Sequence, residues 1–104
     1  MNTQTIIRGT TPTHIFTLPF DSAQIEKAVL CYEQCGAEII HKTLEDCETE
    51  NNLFRCRLIQ EDTLKINEAY DVRVQLKILT ADGNVVVTFP RWLKAVDCLC
   101  DEVL

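Results

Sequence analysis

Residues 70–80 alternate strictly between apolar and polar side chains, and this stretch constrains the fold more than any other. The apolar positions are Tyr70, Val72, Val74, Leu76 and Ile78, and the polar positions are Asp71, Arg73, Gln75 and Lys77. A period of two residues fits a β-strand with one buried side and one wetted side, and it does not fit a helix. The buried side of such a strand needs a facing layer, so the chain must supply a second sheet.

Several other short stretches have the composition of strands and are separated by turn residues. Asp82-Gly83 predicts a hairpin turn between the strand at 70–80 and a return strand at 84–89. Further strands are expected at residues 5–8, 13–18, 53–58 and 91–96. Residues 45–52 are expected to be an exposed acidic loop, and residues 97–104 a loosely held acidic tail.

Residues 22–44 admit two interpretations. Ile25, Ala28, Val29 and Tyr32 have helical spacing, with Ser22 as a candidate N-cap and Gly36 after the end. Alternatively, residues 27–33 and 37–44 form two strands joined by a tight turn at residues 34–36. The hairpin is favoured because the return strand follows the turn without a separate linker.

The composition is that of one globular domain spanning residues 1–104. The chain has 46% hydrophobic and 25% charged residues, which argues against disorder. Its net charge of −6 argues against nucleic-acid binding, because phosphate contacts need clustered Lys and Arg. Residues 1–5 are polar and no stretch is long enough to cross a bilayer, so we expect a cytosolic protein without membrane contact. The fold class predicted is all-β, an antiparallel sandwich of about seven strands.

The segment that leads into the central strand resembles part of immunoglobulin-like and fibronectin type III domains. In those domains a Leu precedes a strand-initial Tyr by six residues, as Leu64 precedes Tyr70 here. The Tyr hydroxyl bonds back to the connecting loop and forms a structural tyrosine corner. The resemblance implies an immunoglobulin-like sandwich with Tyr70 buried at its corner.

A second resemblance covers most of the chain. Arg8-Gly9-Thr10-Thr11-Pro12-Thr13 leads into Phe16-Thr17-Leu18, and two apparent hairpins follow. This order resembles small structural proteins of tailed phages, including the N-terminal domain of phage baseplate upper proteins. The resemblance implies a virion, tail or baseplate component that is made in the host cytoplasm and then built into the virion. Its partners would be other virion proteins and further copies of itself.

No motif in the sequence predicts catalysis, so no catalytic residue, cofactor or metal ligand is assigned. The six cysteines are expected to be mostly free thiols, with zinc binding through Cys31, Cys35, Cys98 and Cys100 disfavoured by their spacing. A disulfide among the six stays open. The two histidines, His14 and His41, lie in predicted strands and have no nucleophile signature beside them.

Residues 85–89 are apolar on both sides of the expected strand and suggest a contact surface. Val85, Val87, Phe89 and Trp92 are the candidate interface residues, since Trp is enriched at binding hot spots. The alternative is that these side chains close the core of the sandwich. The function predicted is assembly by protein–protein contact in a phage or prophage structure. A small ligand- or carbohydrate-binding module is the alternative function.

Overall fold

Nine β-strands form within residues 4–104, the part of the chain that this computed structural model describes. Residues 1–3, which include part of the polar start, lie outside it. The strands are β1 (Gln4–Ile7), β2 (Thr13–Thr17), β3 (Ile25–Gln34), β4 (Ala37–Thr43), β5 (Glu48–Glu50), β6 (Leu53–Arg57), β7 (Val72–Thr80), β8 (Val85–Val87) and β9 (Arg91–Val96). The helical elements are 3₁₀ turns at Ser22–Gln24 and Leu44–Asp46 and the single-turn helix α1, Gln60–Thr63.

These strands build two sheets, which confirms the all-β sandwich. The larger sheet has the order β1-β9-β7-β3-β4, with β8 also paired to β7. The smaller sheet has the order β2-β6-β5. Strands β9-β7-β3-β4 over β2-β6-β5 follow the order of an immunoglobulin-like sandwich. Two details differ from the expectation: there are nine strands rather than about seven, and β1 runs parallel to β9.

Strand β7 lies at the centre of the larger sheet and carries the predicted alternation. Val72, Val74 and Leu76 are fully buried at 0% exposure, while the residues between them face outward. Phe16, Phe54 and Cys56 of the smaller sheet share one apolar core with these side chains. Burial of this apolar area from both sheets is the main force that holds the two layers together.

The hairpin interpretation of residues 22–44 is confirmed. Strands β3 and β4 pair antiparallel, and Cys35 and Gly36 join them with φ angles of 52° and 79°. Two consecutive left-handed residues make a two-residue turn whose twist suits a hairpin. The expected loop at 45–52 is wrong in part, because it contains a 3₁₀ turn and the short strand β5, which adds to β6.

The predicted tyrosine corner is wrong, because Tyr70 is 51% exposed rather than buried and lies before the first residue of β7. A buried glutamine secures this loop instead. The Gln34 side-chain amide donates to the carbonyls of Asn67 (2.8 Å) and Tyr70 (2.9 Å), and its oxygen accepts from the Asn67 amide (2.9 Å). Leu64 is partly buried beside Gly9, whose φ of +77° brings the chain close to it.

A histidine–tyrosine pair links the two sheets inside the core. The ring of His14 on β2 meets the hydroxyl of Tyr32 on β3 through a buried hydrogen bond. Burial and the nearby Arg91 guanidinium lower the pKa of His14 to about 4, so the ring is neutral at pH 7. Burial raises the pKa of Tyr32, so its hydroxyl keeps its proton and donates it to Nδ1 of His14.

We predict that His14 makes the fold sensitive to mild acid. The ordinary histidine pKa of 6.5 applies to the unfolded chain and a pKa of about 4 to the folded one, so the unfolded chain binds more protons between these values. The stabilisation is complete above pH 6.5 and is lost as the pH falls toward 4, at a cost of about 3 kcal/mol. Urea unfolding at a series of pH values measures this slope.

His41, the other histidine of the chain, supplies the comparison variant for this prediction. His14→Gln is expected to flatten the slope of the free energy of unfolding between pH 4 and 6.5 more than His41→Gln does. An unchanged slope in His14→Gln would show that His14 is not the group responsible.

Candidate functional site

The outer side of the larger sheet collects the candidate interface residues in one place. On this side Trp92 lies opposite Arg73, Val87 opposite Lys77 and Val85 opposite Leu79. Trp92 is 57% exposed, Val87 47% and Val85 58%, so these side chains are on the surface and do not close the core. The Arg73 guanidinium lies 5.7 Å from the centre of the Trp92 ring, where a cation–π contact positions the indole.

Phe89 lies at the break between β8 and β9 and is 96% exposed. Just before it, Thr88 still follows β7: its amide donates to the Leu76 carbonyl (2.9 Å), and its hydroxyl accepts from the Leu76 amide (3.0 Å). Pro90 follows and has no amide hydrogen to continue the ladder. The chain therefore leaves β7 at this point, and the Phe89 ring is left without a partner from the sheet.

Strand β8 presents a free backbone edge beside these side chains. The Thr80 amide donates to the Asn84 carbonyl, and the Asn84 amide donates to the Thr80 hydroxyl. Leu76 and Thr88 also exchange two hydrogen bonds. The even-numbered residues of the return strand therefore bond to β7. In an antiparallel pair the groups of alternate residues point to opposite sides. The amides and carbonyls of Val85 and Val87 therefore point away from β7, toward the open edge.

A shallow apolar groove adjoins this edge. It has a volume of about 170 Å³ and is lined by Lys27, Ala28, Val29, Lys77, Leu79 and Val85. Four of its six lining residues are aliphatic, and the other two are lysines. This groove joins the exposed valines to the middle of the sheet, which extends the apolar surface away from the edge.

A second feature of the same outer side is a cluster of three chemically reactive groups. The Cys31 thiol lies 4.0 Å from Nδ1 of His41, and that nitrogen lies 2.9 Å from a carboxylate oxygen of Glu38. Burial and the neighbouring Glu38 raise the pKa of Cys31 to about 11, so the thiol keeps its proton at neutral pH. Sequence reasoning missed this cluster, because the three residues have no familiar ligand spacing.

The cysteines named as disfavoured zinc ligands do not come together. Cys98 lies beyond β9 near Asp97 and Asp101, and the Arg8 guanidinium contacts both carboxylates, at 2.7 Å and 3.0 Å. The same guanidinium group donates to the Ile66 carbonyl at 2.7 Å. Arg8 therefore offsets part of the charge of these two carboxylates and ties the chain before β2 to the segment after β9.

The cysteines of the smaller sheet are tucked against the core. Cys56 is buried at 0% exposure, and Cys47, just before β5, packs against the core. A hydrogen bond to Cys56 and burial raise the pKa of Cys47. Cys35 and Cys100 are exposed, and all six cysteines are free thiols.

Comparisons with protein-family models, with curated proteins and with solved structures find no match for this chain. Within residues 4–104, no helix is both long and apolar enough to span a membrane.

Trp92 is the only tryptophan of the chain, so its fluorescence reports directly on the outer side of the larger sheet. In dilute folded protein we expect emission typical of a hydrated indole and quenching by acrylamide close to that of the urea-unfolded chain, because 57% of the residue is exposed. Arg73→Ala should change the emission without unfolding the protein. Emission at short wavelength with weak quenching would place Trp92 in the core and contradict the assignment.

Proposed function

We propose that this chain is a self-assembling structural module whose β8 edge pairs with β8 of a second copy. Antiparallel pairing of two identical edges around a twofold axis joins the larger sheets of both copies into one. The observation that carries the proposal is the free edge at Val85 and Val87, whose backbone groups point away from β7. The function is contact between proteins, with no chemical reaction involved.

The side chains of this edge include neither the charges nor the Pro that commonly protect a sheet edge. Natural edge strands are blunted by charged side chains, by Pro or by a covering loop. Strand β8 consists of three valines, and the next Pro along the chain is Pro90, after the strand has ended. Val85, Val87, Phe89 and Trp92 then provide apolar surface beside the new backbone hydrogen bonds, as exposed apolar patches do at contact sites.

The charge of the chain predicts how salt affects the contact. Each copy carries a formal net charge of −6, so two copies repel each other at low ionic strength. Salt screens this repulsion and leaves apolar burial in place. Self-association through the valine edge should therefore strengthen as salt is added, whereas a contact based on ion pairs would weaken.

The proposed setting is a tailed-phage or prophage assembly, with synthesis in the host cytoplasm and incorporation into the virion. Support comes from the resemblance at residues 8–13 and from the position of those residues in the fold. Arg8 holds two segments together, and Gly9 needs its left-handed φ of +77° beside Cys98 and Leu64. Capsid, portal or tail genes next to this gene would support the setting, and a cellular operon of unrelated metabolic genes would refute it.

Carbohydrate binding, the alternative function, is less well supported by the surface. A sugar site typically needs aromatic rings lining a groove, and the apolar groove here is lined by aliphatic chains and lysines. Phe89 and Trp92 are exposed, but they flank an open backbone edge that suits a β-strand partner.

We predict that two substitutions on β8 separate self-association from folding. Val87→Pro removes an outward-pointing amide, and Val85→Lys places a charge on the edge, while both leave the bonds from Thr80 and Leu76 to the return strand intact. Light scattering coupled to size-exclusion chromatography should show oligomers for the wild type. Each variant should raise the dissociation constant at least about tenfold, which corresponds to about 1.4 kcal/mol.

Ile15→Lys is the matched control, because Ile15 is 48% exposed and belongs to the smaller sheet, which does not contain β8. It should retain the oligomer, and circular dichroism should show the same fold in all variants. A strictly monomeric wild type at high concentration and high salt would overturn the proposal. Equal weakening by Ile15→Lys would show that the edge is not the contact.

A further inference from the structure

A β-bulge in β4 places Glu38 and His41 on the same side of the sheet. Residues three apart on a regular strand point to opposite sides. Here the pairing with β3 shifts after Tyr32: Tyr32 lies opposite Ile40, but Glu33 lies opposite Glu38, so Ile39 is the extra residue. Bulges of this kind re-aim a side chain and are over-represented next to functional sites.

The bulge completes a set of three groups that bind transition metals. Cys31 lies directly opposite His41 on the neighbouring strand, and the bulge adds the Glu38 carboxylate beside them. One ligand atom from each residue lies within 4.8 Å of the other two. Thiolate sulfur, imidazole nitrogen and carboxylate oxygen are the three donors that Zn²⁺ uses in proteins.

The distances are close to those of a tetrahedral site. Around Zn²⁺, bond lengths of about 2.0–2.3 Å separate sulfur from nitrogen by about 3.6 Å and nitrogen from oxygen by about 3.3 Å. The observed separations are 4.0 Å from the Cys31 sulfur to His41 Nδ1 and 2.9 Å from that nitrogen to Glu38. Small side-chain rotations account for both differences, since His41 and Glu38 are half exposed.

The surrounding charges favour a cation overall. Glu33 and Glu38 lie opposite each other across the bulge, and Arg73 pairs with Glu33. The Glu38 carboxylate contacts His41 and lies beside the Cys31 thiol, so its negative charge is directed at this cluster. Lys77, on the neighbouring strand β7, is the positive group that lowers the pKa of Cys31. Its effect on that pKa is smaller than the effects of burial, Glu38 and Glu33, which raise it.

We propose that Cys31, Glu38 and His41 form a binding site for one Zn²⁺ ion or a similar divalent transition-metal ion. On binding, the Cys31 thiol gives its proton to the solvent and its sulfur binds the ion, together with Nδ1 of His41 and a Glu38 oxygen. The fourth coordination position faces water. The site lies apart from β8, so the inference does not depend on self-association.

The test is a titration of the reduced full-length protein with Co²⁺, followed by displacement with Zn²⁺. The expected result is one Co²⁺ per chain with a thiolate-to-cobalt charge-transfer band in the near ultraviolet, which Zn²⁺ removes. Cys31→Ser should abolish the band. His41→Gln and Glu38→Gln should each weaken Zn²⁺ binding at least about tenfold, because a lost ligand costs at least as much as a lost outer-shell partner.

Two cysteines provide matched controls. Cys35→Ser changes a thiol in the adjacent turn, and Cys98→Ser changes the thiol beside Asp97 and Asp101, so both variants should keep the band. Loss of the band in Cys98→Ser but not in Cys31→Ser would overturn the assignment, as would its absence from the wild type. Circular dichroism checks each fold, and Glu38→Gln, at an exposed position, keeps the test valid if Cys31→Ser unfolds.

Discussion

The two sides of β7 set the conditions for the rest of the structure. Its inward residues, from Val72 to Ile78, are at most 1% exposed and pack into the core shared by both sheets. Five strands pair with β7 directly or through one neighbour, so its register decides which residues of β3, β8 and β9 face water. A shift of one residue would move the whole apolar set to the surface.

The outer side of β7 lies between the two surfaces that are proposed to bind, the β8 edge and the cluster around Cys31. On this side Arg73 positions the Trp92 ring through a cation–π contact. Further along the strand, Lys77 and Leu79 lie opposite the exposed valines of β8. Gln75 lies opposite Cys31 of β3. One surface therefore carries an apolar edge at one side and a thiol–imidazole–carboxylate cluster at the other. The opposite side of the same strand supplies only packing, which explains how a small sandwich can carry a contact surface without weakening its core.

Much of the fold could be predicted from the sequence, because alternation at residues 70–80 and the turns at residues 34–36 and 82–83 are local signals. Three features could not. Strand β5 is short and polar and exists only because β6 offers it a partner. Tyr70 is exposed, and its loop is held by the Gln34 side chain, a long-range contact that no local pattern predicts. The Cys31 cluster depends on a bulge at Ile39, and no residue pattern marks that extra position. The apolar run at residues 85–89 is visible in the sequence, but the exposure of its valines and of Trp92 is not, and the sequence left open whether they close the core.

A dilution series of ¹H–¹⁵N correlation spectra distinguishes β8 from the other surfaces through which copies of the chain could meet. If β8 is the contact, shifts and line broadening that depend on concentration are expected at the amides of Val85 and Val87 and at the indole of Trp92, with β2 and β6 unchanged. Spectra that do not vary with concentration, or changes confined to the smaller sheet, would contradict it.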